Sequence, residues 1–99
     1  MEYIRSASAD RLFDVILALE NREECYRFFE DLCTVKELLD LVQRMDVAAL
    51  LDAGANYQTI SQQVNVSTAT ISRVSKCLNY GSGGYRDALA KLKAQEEGK

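Results

Sequence analysis

Apolar residues recur at helical spacing along nearly the whole chain, and no proline interrupts them. Leu12, Phe13, Ile16 and Leu17 form an i, i+1, i+4, i+5 stripe and predict a first helix over about Ala9–Leu19. A second helix is predicted after Asn21, a good N-cap, with Glu23 and Glu24 near the positive end of the helix dipole. Its buried face should be Cys25, Phe28, Phe29 and Leu32. The third opens on Thr34-Val35-Lys36-Glu37, a capping box in which the Thr hydroxyl and the Glu carboxylate each satisfy a free backbone N–H. It should run to about Ala53 and stop at Gly54, a C′ glycine. Its apolar positions, from Val35 and Leu38 through Leu51, cover more than one face. A helix apolar over so much of its circumference has to be surrounded, and a 99-residue chain has little material for that, so a second copy is expected. Two short helices follow at 57–64 and 67–78, and a last amphipathic one at Tyr85 to about Gln95 places Tyr85, Ala88, Leu89 and Leu92 on one side. The expectation is an all-α, six-helix, single domain over residues 1–99.

The short pair carries the functional signal. Across Tyr57–Asn79, Ile60 and Val64 of the first helix face Ile71, Val74 and Leu78 of the second, and Val66 plugs the junction between them. Ser61 is small where the second helix crosses. Asn65 tolerates the positive φ that the turn needs, and Ser67 is a natural N-cap. With the core positions removed, the second helix presents Thr68, Ala69, Thr70, Ser72, Arg73, Ser75 and Lys76. Short side chains allow close approach to a major groove, hydroxyls meet base edges and phosphates, and cations meet the backbone. The candidate DNA-contacting residues are therefore Gln58, Ser61, Ser67, Thr68, Ala69, Thr70, Ser72, Arg73 and Lys76, on a helix-turn-helix at 57–79.

Net charge is -3, which taken alone argues against a nucleic-acid partner. Its distribution reverses that. From Ala53 to Arg86 there is no acid, while Arg73, Lys76 and Arg86 contribute +3; the rest of the chain, -3 less +3, carries -6. The segment lacks the charge that would repel phosphate.

Other chemistries find little support. Histidine is absent, and the cysteines Cys25, Cys33 and Cys77 form no CxxC pair, so no zinc site is expected and the thiols are read as reduced and mostly buried. Without histidine the usual base near pH 7 is missing. The neighbouring carboxylates Glu23/Glu24, Glu30/Asp31 and Glu96/Glu97 read as solvated charges, so no enzyme is expected. Gly81-Ser82-Gly83-Gly84 has no preceding strand and no following Lys-Ser/Thr, and reads as a flexible turn rather than a phosphate loop. No window approaches about 18 uncharged apolar residues, and Met1-Glu2-Tyr3-Ile4-Arg5 lacks the apolar run of a signal peptide. No membrane partner is expected and a cytoplasmic location is.

Asn65-Val66-Ser67-Thr68-Ala69-Thr70-Ile71-Ser72-Arg73 resembles the recognition segment of the Trp repressor family, and the likeness extends back over the capping box and long helix, Thr34 to Leu51. Arg22–Tyr26, Phe28–Thr34 and Leu78–Gly81 resemble the YerC/YecD-type Trp-repressor-related proteins, over most of the chain. The resemblance implies an intertwined homodimer with two reading heads. It also implies half-sites about 34 Å apart on a near-palindromic operator. In that family two arginines hold the carboxylate of an amino-acid corepressor. The matching positions here are Arg44 and Arg73, and Thr34 matches a residue lining that pocket. Val74 stands where the family has a small glycine, however, and Cys77 where it has a serine, so tryptophan is disfavoured. No cofactor is expected. A different small anionic corepressor remains an open alternative, and the simpler roles are an ion pair for Arg44, with Asp40 or an acid of a second copy, and phosphate contact for Arg73.

The sequence thus points to a sequence-specific binder of double-stranded DNA that regulates transcription, a repressor by resemblance. The alternative is a helical dimeric adaptor that binds another protein without DNA, supported by the -6 outside the reading head.

Overall fold

A computed structural model describes residues 2–98, with side chains from Tyr3 onward. After a single 3₁₀ turn at Glu2–Ile4 come six α-helices: α1 (Ala7–Ala18), α2 (Arg22–Leu32), α3 (Val35–Asp52), α4 (Tyr57–Val64), α5 (Thr68–Tyr80) and α6 (Gly84–Glu97). There is no strand among the described residues. The chain divides into two compact units, Met1–Leu38 and Leu39–Lys99.

In the first unit, side-chain caps define where each helix begins. Ser6 accepts from the Ala9 N–H at 3.0 Å, which starts α1 two residues before the hydrophobic stripe alone predicts. The Asn21 side chain caps α2 by accepting from the Glu24 N–H at 2.9 Å and donating to the Glu24 carboxylate at 3.1 Å. The capping box ahead of α3 forms in both directions: the Thr34 N–H donates to Glu37 Oε1 at 2.8 Å, and the Glu37 N–H donates to Thr34 Oγ1 at 3.1 Å. Phe28 and Phe29 meet edge to face with centroids 5.3 Å apart.

Burial is where this unit departs from the pattern. Neither α1 nor α2 has a buried residue. Leu17 is 82% exposed, Phe13 54% and Leu32 51%. Cys25, Phe28 and Phe29 are only half-buried. The amphipathic faces form as predicted, but a single chain leaves much of them open.

The second unit closes a core of its own. Val47 and Ala48 of α3, Ile60 of α4, Ile71 and Val74 of α5, and Leu89 of α6 are buried together, with Leu50, Leu51, Ala55, Val64, Val66 and Tyr85 packed against them. Val47, Ile60 and Ile71 have no exposed surface at all. α3 ends in a Schellman motif: the Ala55 N–H reaches the Leu50 carbonyl and the Gly54 N–H the Leu51 carbonyl, both at 3.0 Å. Gly54 sits at φ +92°, the left-handed region open to glycine, as its predicted role requires. α5 extends through Tyr80, two residues beyond its predicted end, and closes at Gly81, where a Cβ would run into the Cys77 carbonyl. α6 extends to Glu97, with Tyr85 and Leu89 inward, whereas Ala88 and Leu92 of its predicted apolar side stay exposed.

Candidate nucleic-acid interface

α4 and α5 form the predicted helix-turn-helix. Asn56, which sequence reasoning passed over, caps α4 by accepting from the Thr59 N–H at 2.8 Å. α4 stops at Asn65, whose φ of 58° and ψ of 51° are left-handed; it is the non-glycine residue with positive φ among those described. Asparagine adopts that conformation at less strain than most residues. Its N–H donates to the Ser61 carbonyl at 3.1 Å, and the Ser61 hydroxyl donates to the Val66 carbonyl at 3.3 Å, so both ends of the turn are tied to α4. The Ser67 hydroxyl then accepts from the Thr70 N–H at 3.2 Å and lies 3.1 Å from the Thr70 hydroxyl. α4 and α5 are therefore joined by three residues, each with a hydrogen bond that holds the turn.

Turn and core together decide what α5 presents. Ile71, Val74 and Leu78 occupy its buried face. Ala69, Ser72, Arg73 and Lys76 are all exposed and follow i, i+3, i+4, i+7. At about 100° per residue this stripe lies roughly 180° from the core face. Thr68 is exposed at the start of the helix. The N–H groups of Thr68 and Ala69, in the first turn, have no intrahelical acceptor and remain able to donate outward. The stripe thus offers a methyl, a hydroxyl and two cations on a rigid rod. Gln58 is exposed on the first turn of α4.

The remaining predicted positions differ in availability. Ser67 is exposed but its hydroxyl is occupied as the cap, Thr70 is half-buried against it, and Ser61 is half-buried with its hydroxyl turned to Val66. Arg44 is exposed on α3, in the same unit as Arg73, and Thr34 is exposed in the other unit. Cys25 and Cys33 are half-buried free thiols, while Cys77 on α5 is exposed, which departs from the mostly buried thiols expected. Among the described residues no group of three or more His, Cys, Asp or Glu side chains could hold a metal ion. No helix among them is long and apolar enough to cross a membrane.

One cation of the acid-free segment is engaged elsewhere. Arg86 Nε donates to the Leu78 carbonyl at 3.1 Å, Nη2 to Asn79 Oδ1 at 2.8 Å, and Nη1 to Asp52 Oδ1 at 3.2 Å. Lys93 approaches the other Asp52 oxygen at 3.9 Å. Asn79 in turn donates to the Ser75 carbonyl at 2.9 Å. Two of the three cations, Arg73 and Lys76, are left on the outer stripe. No local sequence signal could have separated Arg86 from them, because its acid lies 34 residues away.

A six-helix chain with this helix-turn-helix has a Trp-repressor-like fold. The family model described as Trp repressor protein matches residues 7–93, and the chain belongs to that family. It is 48% identical over 96 residues to a Bacillus subtilis (strain 168) protein named "Uncharacterized protein YerC", covering 97% of this chain and 92% of that one. Two solved structures superpose with a TM-score of 0.90. One, a Trp repressor candidate from Staphylococcus aureus, is 51% identical, with 93% of this chain and 92% of that chain covered. The other, a TrpR-like protein from Eubacterium eligens, is 41% identical, with 94% and 96% covered.

Proposed function

We propose that the protein is a sequence-specific, double-stranded DNA-binding regulator of transcription, a repressor, working in the cytoplasm as an intertwined homodimer. The observation that carries the reading is the outer stripe of α5, Ala69, Ser72, Arg73 and Lys76, turned away from the core in a segment without acids. Thr68 and the capped Ser67 precede it along the chain and Gln58 is exposed on α4, while Ser61 and Thr70 act through the geometry of the turn as well as by any contact of their own. Membership in the Trp repressor family, a family of regulators rather than enzymes, supports the same reading. The homodimer is supported by apolar side chains left open on the first three helices, among them Phe13, Leu17, Val35 and Leu39. Exposed apolar area of that kind marks an association surface. No catalytic group, metal or obligatory cofactor enters this function. A small anionic corepressor held by Arg44 and Arg73 is a subsidiary proposal, with tryptophan disfavoured by Val74 and Cys77.

The test is selection of sites from random duplexes by the purified protein, with and without a metabolite extract, followed by binding titrations over a salt series. The expected outcome is a near-palindromic site whose log affinity falls linearly with log salt. Arg73→Ala with Lys76→Ala should weaken it by about 1–3 kcal/mol per lost contact and flatten the salt slope. A folded dimer that binds no duplex at low salt would overturn the reading, and the adaptor alternative would then stand, since it requires neither cation.

A further inference from the structure

We propose that Arg86 is a positioning residue that sets the aim of the recognition helix, through a fork joining α3, α5 and α6, and that it is not itself a phosphate contact. The inference rests on the DNA-binding reading of the same head. A helix end leaves its last carbonyls without intrahelical partners, and a basic side chain nearby can satisfy them. At the end of α5 the Cys77 carbonyl is taken by the Gly81 N–H at 2.9 Å, and the Leu78 carbonyl by Arg86 Nε at 3.1 Å. The same guanidinium grips the Asn79 side chain and, at its other edge, the carboxylate of Asp52 in the last turn of α3. Asn79 passes the constraint back into α5 through its bond to the Ser75 carbonyl. Core packing at Ile71 and Val74 fixes which face of α5 is buried. Past Val74 the helix runs a further six residues to Tyr80, with Leu78 as their one buried side chain, so its far end is held by little else unless it is tied. Arg86 is the tie, and its planar fork of donors is what lets one side chain hold a carbonyl, an amide and a carboxylate together. Its positive charge is paired with Asp52 at 3.2 Å.

This separates two roles that a charge count merges. A phosphate contact is lost with the charge and kept by any cation; an aiming fork is lost with its geometry. Three variants decide between them, in full-length protein, well below the melting temperature of each as followed by circular dichroism. Arg86→Lys keeps the charge but cannot form the fork. It should lower affinity for the selected site roughly tenfold, the order of one lost base-pair contact, while binding to random duplex changes little. Arg86→Ala should show the same loss with an unchanged salt slope, whereas loss of a phosphate contact would reduce that slope by about 0.9. Asp52→Asn removes a negative charge and so would strengthen binding if Arg86 served phosphate; the positioning role predicts weaker specific binding. Wild-type affinity in Arg86→Lys, a reduced slope in Arg86→Ala, or tighter binding by Asp52→Asn would each overturn the proposal. Should Arg86→Ala fail to fold, the other two variants still decide it. Absence of salt-dependent binding by the unmodified protein would instead defeat the DNA reading itself, so the two failures are distinguishable.

Discussion

Residues 1–38 and 39–99 are written in the same helical code but come to different ends. The second unit draws buried residues from four helices and leaves no exposed surface on Val47, Ile60 or Ile71. The first has caps as good and stripes as regular, yet α1 and α2 bury nothing completely. Regular apolar spacing therefore specifies a helix and the face it offers, and does not say whether one chain can cover that face. Burial of apolar area, rather than propensity, supplies most helical stability in proteins. In the first unit a single chain supplies little of that burial.

Three changes probe this contrast, in falling order of effect. Ile71→Ala removes a fully enclosed side chain and should destabilise the protein by about 2–5 kcal/mol, read by denaturant melts, because the rigid surroundings of the cavity relax only partly. Phe13→Asp alters a side chain that a lone chain leaves 54% exposed, so a monomer should tolerate it. With a second copy covering that face, the change should cost about 1.5–3 kcal/mol, shift sedimentation toward monomer, and lower the melting temperature more on dilution. Unaltered sedimentation and melting would mean that another copy does not cover this face. Asn65→Ala should cost about 1 kcal/mol, from the left-handed backbone alone, and Asn65→Gly should recover most of it.

What could be read in advance follows the range of the interactions. Six helices, the Thr34–Glu37 box, the Asn21 and Ser67 caps, the Gly54 stop and the Asn65 turn all depend on residues within a few positions of each other, and all are present. The inner set of the helix-turn-helix was legible for the same reason, since i, i+3 and i+7 spacing on α5 names Ile71, Val74 and Leu78 directly. Near misses fall where several local choices compete. The Ser6 cap of α1 stands six positions ahead of Leu12, the first residue of the stripe, so periodicity did not point to it. Asn56 was overshadowed by Gly54, although an asparagine ahead of an apolar-periodic segment is itself a start signal. Hidden entirely was the long-range part. That Val47 and Ala48, out of a broadly apolar α3, would be the two to meet α4 and α5 is a tertiary fact. So is the pairing of Arg86 with Asp52, which turns an apparent third free cation of the acid-free segment into a strut.

The opposition of the two faces of α5 has an evolutionary consequence. Because Ala69, Ser72, Arg73 and Lys76 stand clear of Ile71, Val74 and Leu78, exchanges among the former leave packing untouched and shift stability by only a few tenths of a kcal/mol. The outer face of α5, and with it the DNA specificity proposed for it, can therefore be retuned without passing through unfolded intermediates. The two solved relatives, 41–51% identical and superposing at a TM-score of 0.90, show how far sequence can change on a single chassis.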